Sequence, residues 1–272
     1  MRMGIRLASA LLLLWPVLPA SAGLWPDDAS ALVASFAAPS PEGFTRSLVF
    51  RSEGQRVTSW NAGEVLWIER SGGGDTLVLD HDDGFRSVYR GIEVRPDLSG
   101  SVSAGEMIGY AAGSDWRFEI VDDERDSIID PLTLLPPRSG LAAPRVERLL
   151  VVLGSDRRVV GDGSPIPSGR RDIIVELSGG EAGTGVPVEI SLYWVGVRVG
   201  GIRFDALSED GGAVILEAPD PRRFDQVYGD DGALRFPGVM LNAGRGNLEL
   251  RVEDETGRVV SRTWSVTVSS GS

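Results

Sequence analysis

Apolar and polar residues alternate with a period of two along most of the chain after Leu48. This alternation is typical of strands that bury one face, whereas an amphipathic helix repeats every three to four residues. One short helix is predicted within Pro26–Phe36, with Asp27 or Asp28 near its N-terminus. In the first half, strands are predicted at Glu64–Glu69, Thr76–Asp80, Arg86–Arg90, Met107–Tyr110 and Trp116–Val121. The pattern therefore predicts an all-β protein.

The second half repeats the pattern in short segments separated by glycine-containing turns. Strands are predicted at Leu149–Leu153, Asp172–Leu177, Val188–Trp194, Ala213–Glu217, Asn247–Val252 and Thr263–Val268. Roughly seven short strands, with turns at intervals of about ten residues, indicate an immunoglobulin-like β-sandwich, and a barrel is the alternative. A stretch rich in Pro, Gly and Ala at 138–145 is the predicted linker. The predicted domains are therefore 44–137 and 146–269, preceded by a segment at 23–43 that contains the short helix.

The first 22 residues have the three parts of a secretory signal peptide. Arg2 and Arg6 precede an apolar stretch from Leu7 to Leu18, and a small-x-small cleavage site follows at residues 20–22. A membrane anchor is the alternative, but a spanning helix needs about 20 apolar residues, and prolines interrupt this shorter run. We therefore expect export, with Gly23 as the first residue of the mature chain and no membrane span after cleavage.

Composition narrows the possible functions. The chain has no cysteine, which excludes a disulfide framework, a thiolate nucleophile and a cysteine-based metal site. Its 27 basic and 39 acidic residues give a net charge of −12, so a nucleic acid is not an expected partner. Export without cysteine is typical of a bacterial envelope protein, in the periplasm or outside the cell.

Six sequence segments between Val57 and Pro136 stand in an order that resembles the lysostaphin-like (LytM) family of zinc peptidoglycan endopeptidases. They are VTSWNAGEV at 57–65, LVLDHDDGF at 77–85, RSVYR at 86–90, VSAGEMIG at 102–109, DWRFE at 115–119 and DPLTLLP at 130–136. No single segment is specific, but their order and spacing fit the family together. The resemblance covers about 90 residues and implies a β fold of the duplicated hybrid motif type. It says nothing of the second domain.

The resemblance also implies where the family's chemistry would lie. Family members hold zinc through an early His and Asp four residues apart and through the second His of an H-x-H segment. Transferred to this chain, the early pair falls near Phe44 and Leu48, and the late ligand falls at Arg117. The two further histidines that have catalytic roles in the family correspond to Asp115 and Arg90. None of these five residues has the side chain that the family uses.

The residue counts exclude the family's chemistry without an alignment. A catalytic zinc ion usually takes three protein ligands, drawn mainly from His, Cys and carboxylates, and this chain has one histidine. Arg117 would also place a fixed positive charge beside the metal position. The single histidine, His81, opens a hairpin turn beside acidic residues, where a structural or solvated role is the simpler interpretation. We therefore predict no metal, no cofactor and no catalytic residue.

Alternation across residues 115–120 separates a core face from a groove face. Trp116, Phe118 and Ile120 are predicted to point into the core, while Asp115, Arg117 and Glu119 point outward with Arg90. These four charged residues could form an inert salt-bridged cluster. Alternatively, the arginines could bind a carboxylate or a glycan with nearby aromatic residues. The predicted groove residues are Trp60, His81, Tyr89, Arg90, Asp115, Arg117 and Glu119.

The leading hypothesis is an exported, catalytically inactive LytM-like protein that binds peptidoglycan or regulates a cell-wall hydrolase. One alternative is an active metalloendopeptidase with a non-standard site, built from His81 with Asp80 or Asp82. The other is a purely structural or adhesive envelope protein whose groove binds nothing.

Overall fold

A computed structural model describes residues 23–27, 30–138, 144–178, 187–217 and 220–270. Strand accounts for 59% of these residues and helix for 3%, which confirms the all-β class. The signal peptide predicted at 1–22 lies outside the described residues, as does most of the predicted linker at 138–145. No helix in the described ranges is long and apolar enough to cross a membrane.

The first half of the chain is built from short strands that end in a 3-10 turn at Pro131–Thr133. These strands are β1 Ala31–Ala34, β2 Pro39–Ser40, β3 Gly43–Phe44, β4 Leu48–Arg51, β5 Arg56–Thr58, β6 Gly63–Glu69, β7 Asp75–Asp80, β8 Phe85–Val94, β9 Ser101–Val102, β10 Met107–Ala111, β11 Asp115–Asp122 and β12 Ser127–Ile129. All strands predicted for this half overlap a strand of the structure.

The second half contributes longer strands and one short helix, α1 at Phe224–Val227. These strands are β13 Arg145–Leu153, β14 Asp156–Val159, β15 Pro165–Pro167, β16 Gly169–Ser178, β17 Glu189–Trp194, β18 Val197–Arg203, β19 Ala206–Asp210, β20 Ala213–Leu216, β21 Arg222–Arg223, β22 Leu234–Leu241, β23 Gly244–Glu253 and β24 Val259–Ser269. The strands predicted for this half are confirmed as well.

The helix predicted within Pro26–Phe36 is wrong. The described part of that segment contains β1, which pairs antiparallel with β4 through Leu32 and Phe50. The tertiary contact overrides the weak local helix signal, because Leu32 is buried in the core of the first sheet.

The first sheet buries its inner face in one hydrophobic core. Strands β6, β7, β8, β11 and β4 lie side by side in this order, joined by antiparallel pairing. Its inner face carries Leu77 and Leu79 of β7, with Tyr89 of β8, all fully buried. The opposite face of the same strands carries the predicted groove residues of β8 and β11.

The second core lies between two sheets of the C-terminal half. One sheet has the strand order β14-β13-β16-β22 and the other the order β15-β24-β23-β17-β18. Val151 and Phe236, from the sheet that contains β13 and β22, belong to the same buried cluster as Leu192 and Trp264, from the sheet that contains β17 and β24. The C-terminal half is therefore a β-sandwich, and its immunoglobulin-like topology stays a prediction.

Each half also contributes to the other. The N-terminal segment places Phe36 and Phe44 in the core of the sandwich, where Phe44 contacts Tyr228 edge-on at 6.0 Å between ring centroids. In return, β19 of the second half pairs with β12 and extends the first sheet through β20 and β21. The predicted division at 138–145 stays a prediction, but the two halves exchange elements on either side of it.

Candidate functional site

Strand β11 keeps the two-faced pattern that the sequence predicts. Trp116, Phe118 and Ile120 are fully buried, whereas Asp115 and Arg117 on the opposite face are exposed. Because side chains alternate along a strand, the complete burial of one set fixes the direction of the other. The outer face of β11 therefore carries the charges.

Arg117 lies in the middle of a charged strip across the outer face. Its cross-strand neighbours are Arg90 on β8 and Val49 on β4. The Arg90 Nε atom lies 3.3 Å from Glu119 Oε1, and the Arg51 Nε atom lies 3.5 Å from Asp115 Oδ1. Within the described ranges, no hydrogen bond or ion pair involves the side chain of Arg117. Of the four residues predicted to cluster, Arg90 and Glu119 form an ion pair, whereas Asp115 pairs with Arg51 outside the predicted set and Arg117 stands between the two pairs.

The early positions assigned by resemblance do not both face this strip. Leu48 is fully buried opposite Phe118, so it points into the core. Phe44 is buried in the sandwich core instead. Since neighbouring residues on a strand point to opposite faces, the residue beside Arg117 is Val49, one position further along.

Besides Glu119, which is 9% exposed on the outer face, three of the predicted groove residues are buried inside the protein. Trp60 is 2% exposed, and its backbone N–H donates to the Tyr89 hydroxyl at 2.8 Å. Tyr89 is fully buried, and burial raises its pKa to about 12. Trp60 and Tyr89 therefore pack in the core, and their hydrogen bond fixes the backbone at Trp60 to β8. They cannot form the aromatic wall of an outer groove.

His81 is the third of these buried residues. It is 4% exposed, with Nδ1 at 2.7 Å from the carbonyl oxygen of Ala62 and Nε2 at 2.8 Å from Ser87 Oγ. Both ring nitrogens are thus occupied by hydrogen-bond partners that are not carboxylates. The alternative of a metal site built from His81 with Asp80 or Asp82 does not fit this geometry.

An exposed tryptophan that the alternation did not select lies on the outer face. Trp67 on β6 is 49% exposed and pairs with Val78 on β7. The register shifts between Val65 and Trp67, so the bulge at Leu66 turns Trp67 away from the core side that Val65 faces. Four consecutive apolar residues at 65–68 interrupt the alternation in the sequence, and this run is the signal that could have indicated the bulge.

The strip from Trp67 to Arg117 spans four strands. Val78 pairs with Val88 on β8, and Val88 with Glu119 on β11, so these residues form one row with Trp67. The next row contains Arg90 and Arg117. With about 4.8 Å between neighbouring strands, β6 and β11 are roughly 14 Å apart.

A cleft of about 490 Å³ opens at the Arg117 end of this strip. Its floor includes Arg117, Glu119 and Val49, and the hairpin of β2 and β3 forms the opposite wall. The C-terminal half contributes Val214 to the lining. Elsewhere on the wall, Arg46 pairs with Glu209 of β19 at 2.7 Å. Both halves of the chain therefore build this cleft.

The residues at the family's metal position do not fit a zinc ion. A guanidinium is permanently charged and offers donors only, and a valine offers no lone pair. Among the residues that the structure describes, no group of three or more His, Cys, Asp or Glu side chains is arranged to hold a metal ion. The outer face can bind an anion by hydrogen bonding and charge, and it can pack an apolar group against Trp67.

Comparisons with known proteins give a family-model match for the second half and distant structural similarities that cover between 42% and 85% of the chain. One protein-family model matches residues 143–269, which is less than half of the chain. No curated protein matches the sequence. A zinc containing peptidase from Vibrio cholerae is 19% identical, with a TM-score of 0.35 over 42% of this chain and 39% of that chain.

Two further solved structures are similar at the same low level. The SpoIIQ–SpoIIIAH pore forming complex is 16% identical, with a TM-score of 0.36 over 43% of this chain and 92% of that chain. The antimicrobial peptidase lysostaphin from Staphylococcus simulans is 14% identical, with a TM-score of 0.29 over 85% of this chain and 92% of that chain. Similarities of this size do not assign an activity to the chain.

Proposed function

We propose that this chain is an exported, catalytically inactive relative of the lysostaphin-like peptidases, which binds peptidoglycan or a cell-wall hydrolase in the bacterial envelope. The observation that carries the proposal is Arg117. By the sequence resemblance it corresponds to a metal ligand in the family's H-x-H segment; it lies on a strand that keeps its inner face buried, and its side chain has no ion-pair partner among the described residues.

The loss of catalysis is supported by what the available side chains do. The chain has one histidine and no cysteine. That histidine is buried with both ring nitrogens engaged. Activation of water at a zinc ion requires an open site with about three protein ligands. An arginine at one ligand position repels the cation that the reaction needs.

Zymography tests the inactive part of the proposal. Purified mature protein is embedded in a gel with cell-wall sacculi and incubated with added zinc. We expect no clearing, with an active lysostaphin-like enzyme on the same gel as the positive control. Clearing that disappears on chelation would contradict the proposal and favour a metallopeptidase with an unconventional site.

A sacculus pull-down tests the binding part. We expect the mature protein to sediment with sacculi, and the Arg90→Ala, Arg117→Ala double variant to lose at least most of that binding. The matched control is Arg56→Ala, Arg158→Ala, which removes two exposed arginines from β5 and β14. Equal sedimentation of the two double variants would exclude the arginine strip as the binding surface. If the parent protein does not sediment with sacculi, peptidoglycan is excluded as its partner, and a hydrolase partner or a purely structural role remains.

Export is the remaining part of the proposal. Gly23, the predicted first residue of the mature chain, packs so closely on Trp60 that a Cβ atom there would meet the indole at 1.7 Å. This contact places Gly23 against the folded domain, and the signal-peptide pattern at residues 1–22 supports cleavage before it. Mass spectrometry of the exported protein is expected to give Gly23 as its N-terminus.

A further inference from the structure

The strand pair β12–β19, called the joint below, is a narrow connection between the two halves of the chain. Its register has two residue pairs, Ile128–Leu207 and Ile129–Ala206. Ile129 belongs to the core of the first sheet and Leu207 to the core of the sandwich, while Ile128 and Ala206 reach across to the opposite core. A cavity of about 170 Å³ is lined by Ile128 and Leu207, so some packing contacts are missing there. Since each strand is anchored in its own core, the joint can part without unfolding either half.

Acidic side chains gather at one end of the joint. Asp130 follows β12 directly and is 3% exposed, and its backbone N–H donates to the Asp205 carbonyl at 2.9 Å. One carboxylate oxygen of Asp205, Oδ1, is buried without a hydrogen-bond partner among the described residues. Burial raises the pKa of the Asp130 carboxyl to about 7, and the charges of Glu255 and Asp205 add to the rise. The Leu132 N–H, which donates to this carboxyl at 3.0 Å, opposes the rise only in part.

The arginines near this acidic end already pair with other carboxylates. The Arg203 Nε atom lies 2.5 Å from Asp205 Oδ2, so its charge compensates that residue. In the turn between β23 and β24, Arg258 pairs with Asp254 at 2.7 Å. Glu217, which is hydrogen-bonded through its backbone to β19, adds a further carboxylate. A new negative charge on the buried carboxyl would therefore meet mainly like charges in an environment of low dielectric constant.

We infer that the joint is a pH-sensitive switch, which stays closed while Asp130 carries its proton and opens, with both cores intact, when that proton passes to water. A protonated carboxyl is neutral and can donate a hydrogen bond, and the buried Asp205 Oδ1 is an acceptor that has no other donor. Once the proton is lost, Asp130 becomes a second acceptor and a second charge. Opening relieves both costs, because it gives the carboxylate access to water.

The direction of the effect follows from the two protonation equilibria. The pKa of Asp130 is about 7 in the closed joint and should return to its ordinary 3.8 when water surrounds the carboxyl. Below pH 3.8 both states carry the proton, between pH 3.8 and about 7 only the closed state does, and above that range neither does. The equilibrium constant for opening therefore rises by about tenfold per pH unit within this range and is constant above it.

Opening of the joint also changes the cleft beside Arg117. Val214 of β20 lines that cleft, and Glu209 of β19 holds Arg46 at 2.7 Å. Both residues belong to the strands β19, β20 and β21, which β12 attaches to the first sheet. When β19 leaves β12, the cleft loses the wall that the C-terminal half contributes. The switch thus couples pH to the shape of the cleft, whatever the cleft binds.

Hydrogen exchange of the full mature chain, followed by mass spectrometry from pH 5 to pH 7, tests the switch without any substitution. After correction for the intrinsic exchange rate, we expect the protection of amides in β12 and β19 to fall by at least about tenfold over this range. Amides of β7 and β16, which lie in the two cores, should remain at least about tenfold more protected than the joint at pH 7. Protection of the joint that does not depend on pH, or that equals the protection of the cores, would overturn the inference.

A substitution at Asp130 assigns the pH dependence to this carboxyl. Asp130→Asn keeps an oxygen that accepts from the Leu132 N–H but has no proton to lose, so protection of the joint should become independent of pH. Asp97→Asn, on an exposed loop, is the matched control and should behave as the parent does. A parent-like pH profile in Asp130→Asn would contradict the assignment.

A disulfide across the joint distinguishes its opening from changes inside either half. The chain has no cysteine, so Ile129→Cys with Ala206→Cys provides two thiols directly opposite each other in the register. Opposite residues on antiparallel strands have Cα atoms about 4.5 to 5.5 Å apart, a separation that suits a disulfide. We expect the oxidised variant to keep its protection constant from pH 5 to pH 7, and the reduced form of the same variant to follow the parent. An equal loss of protection in the two forms would overturn the inference.

Discussion

The two faces of the first sheet differ in the amino-acid substitutions that they tolerate. The inner face is made of large apolar side chains, such as Trp116 and Phe118, that are fully buried. The outer face of the same strands carries exposed arginines and Trp67. Protein interiors are densely packed, so a substitution on the inner face disturbs many contacts, whereas a substitution of an exposed residue disturbs few. The inner face therefore preserves the register while the outer face is free to change its chemistry.

Replacing Trp116 with alanine tests this difference most strongly. Its ring stacks on Phe50 at 4.6 Å between centroids, with Tyr89 stacked at 6.5 Å. We expect Trp116→Ala to lower the free energy of unfolding by about 3 to 5 kcal/mol, from the lost burial and the cavity. Arg117→Ala, one residue away, is expected to change it by at most about 0.5 kcal/mol. Urea denaturation followed by circular dichroism measures both, and similar costs would remove the distinction between the faces.

Asp130 extends the comparison to a charge that lies inside the protein. It is 3% exposed at the junction between β12 and β19, where its backbone N–H donates to the Asp205 carbonyl at 2.9 Å. Burial raises the pKa of its carboxyl to about 7, and the nearby charges of Glu255 and Asp205 act in the same direction. The hydrogen bond from the Leu132 N–H opposes this rise without cancelling it.

The sign of the pH effect follows from the raised pKa. Between the unfolded value of 3.8 and about 7, the folded protein keeps a proton that the unfolded chain has lost. The contribution to stability is therefore fully present below pH 3.8 and is lost as the pH rises through 7. The parent should therefore lose stability between pH 4 and pH 8, whereas Asp130→Asn, which has no carboxyl to ionise, should not. We expect the difference in unfolding free energy between the variant and the parent to shift by about 2 to 4 kcal/mol in favour of the variant from pH 4 to pH 8. The control is Asp97→Asn, on an exposed loop. Parallel pH profiles for Asp130→Asn and the parent would contradict a protonated buried carboxyl.

His81 tests whether the one histidine belongs to the structural face. Its loss would remove two hydrogen bonds, one with the carbonyl oxygen of Ala62 and one with the buried Ser87 hydroxyl. We expect His81→Ala to cost about 2 kcal/mol of unfolding free energy and to leave sacculus binding unchanged. Ser87→Ala serves as the comparison, since it removes one of the same hydrogen bonds. If the variant lost sacculus binding while its stability stayed unchanged, His81 would have a role in binding and not in the structure.

The sequence predicts the inner face better than the outer one, for a physical reason. Burial imposes a period of two, and that period places Trp116, Phe118 and Ile120 correctly. The outer face has no such constraint, so Trp60 and Tyr89 were assigned to a groove that they do not line. The bulge at Leu66 reverses the alternation, so a period of two does not predict that Trp67 lies on the outer face. The cleft itself depends on a hairpin that docks on the distant C-terminal half, and no local pattern encodes that contact.

The smallest expected effect concerns the ion pair between Arg90 and Glu119. Arg90 is about half exposed, and its Nε atom lies 3.3 Å from Glu119 Oε1, so solvent screens much of the attraction. We expect a double-mutant cycle with Arg90→Ala and Glu119→Ala to give a coupling energy below about 1 kcal/mol in urea denaturation. A weak coupling means that stability does not require these charges on the outer face. A coupling of several kcal/mol would instead make the strip part of the structural scaffold, and the two faces would then differ in chemistry but not in role.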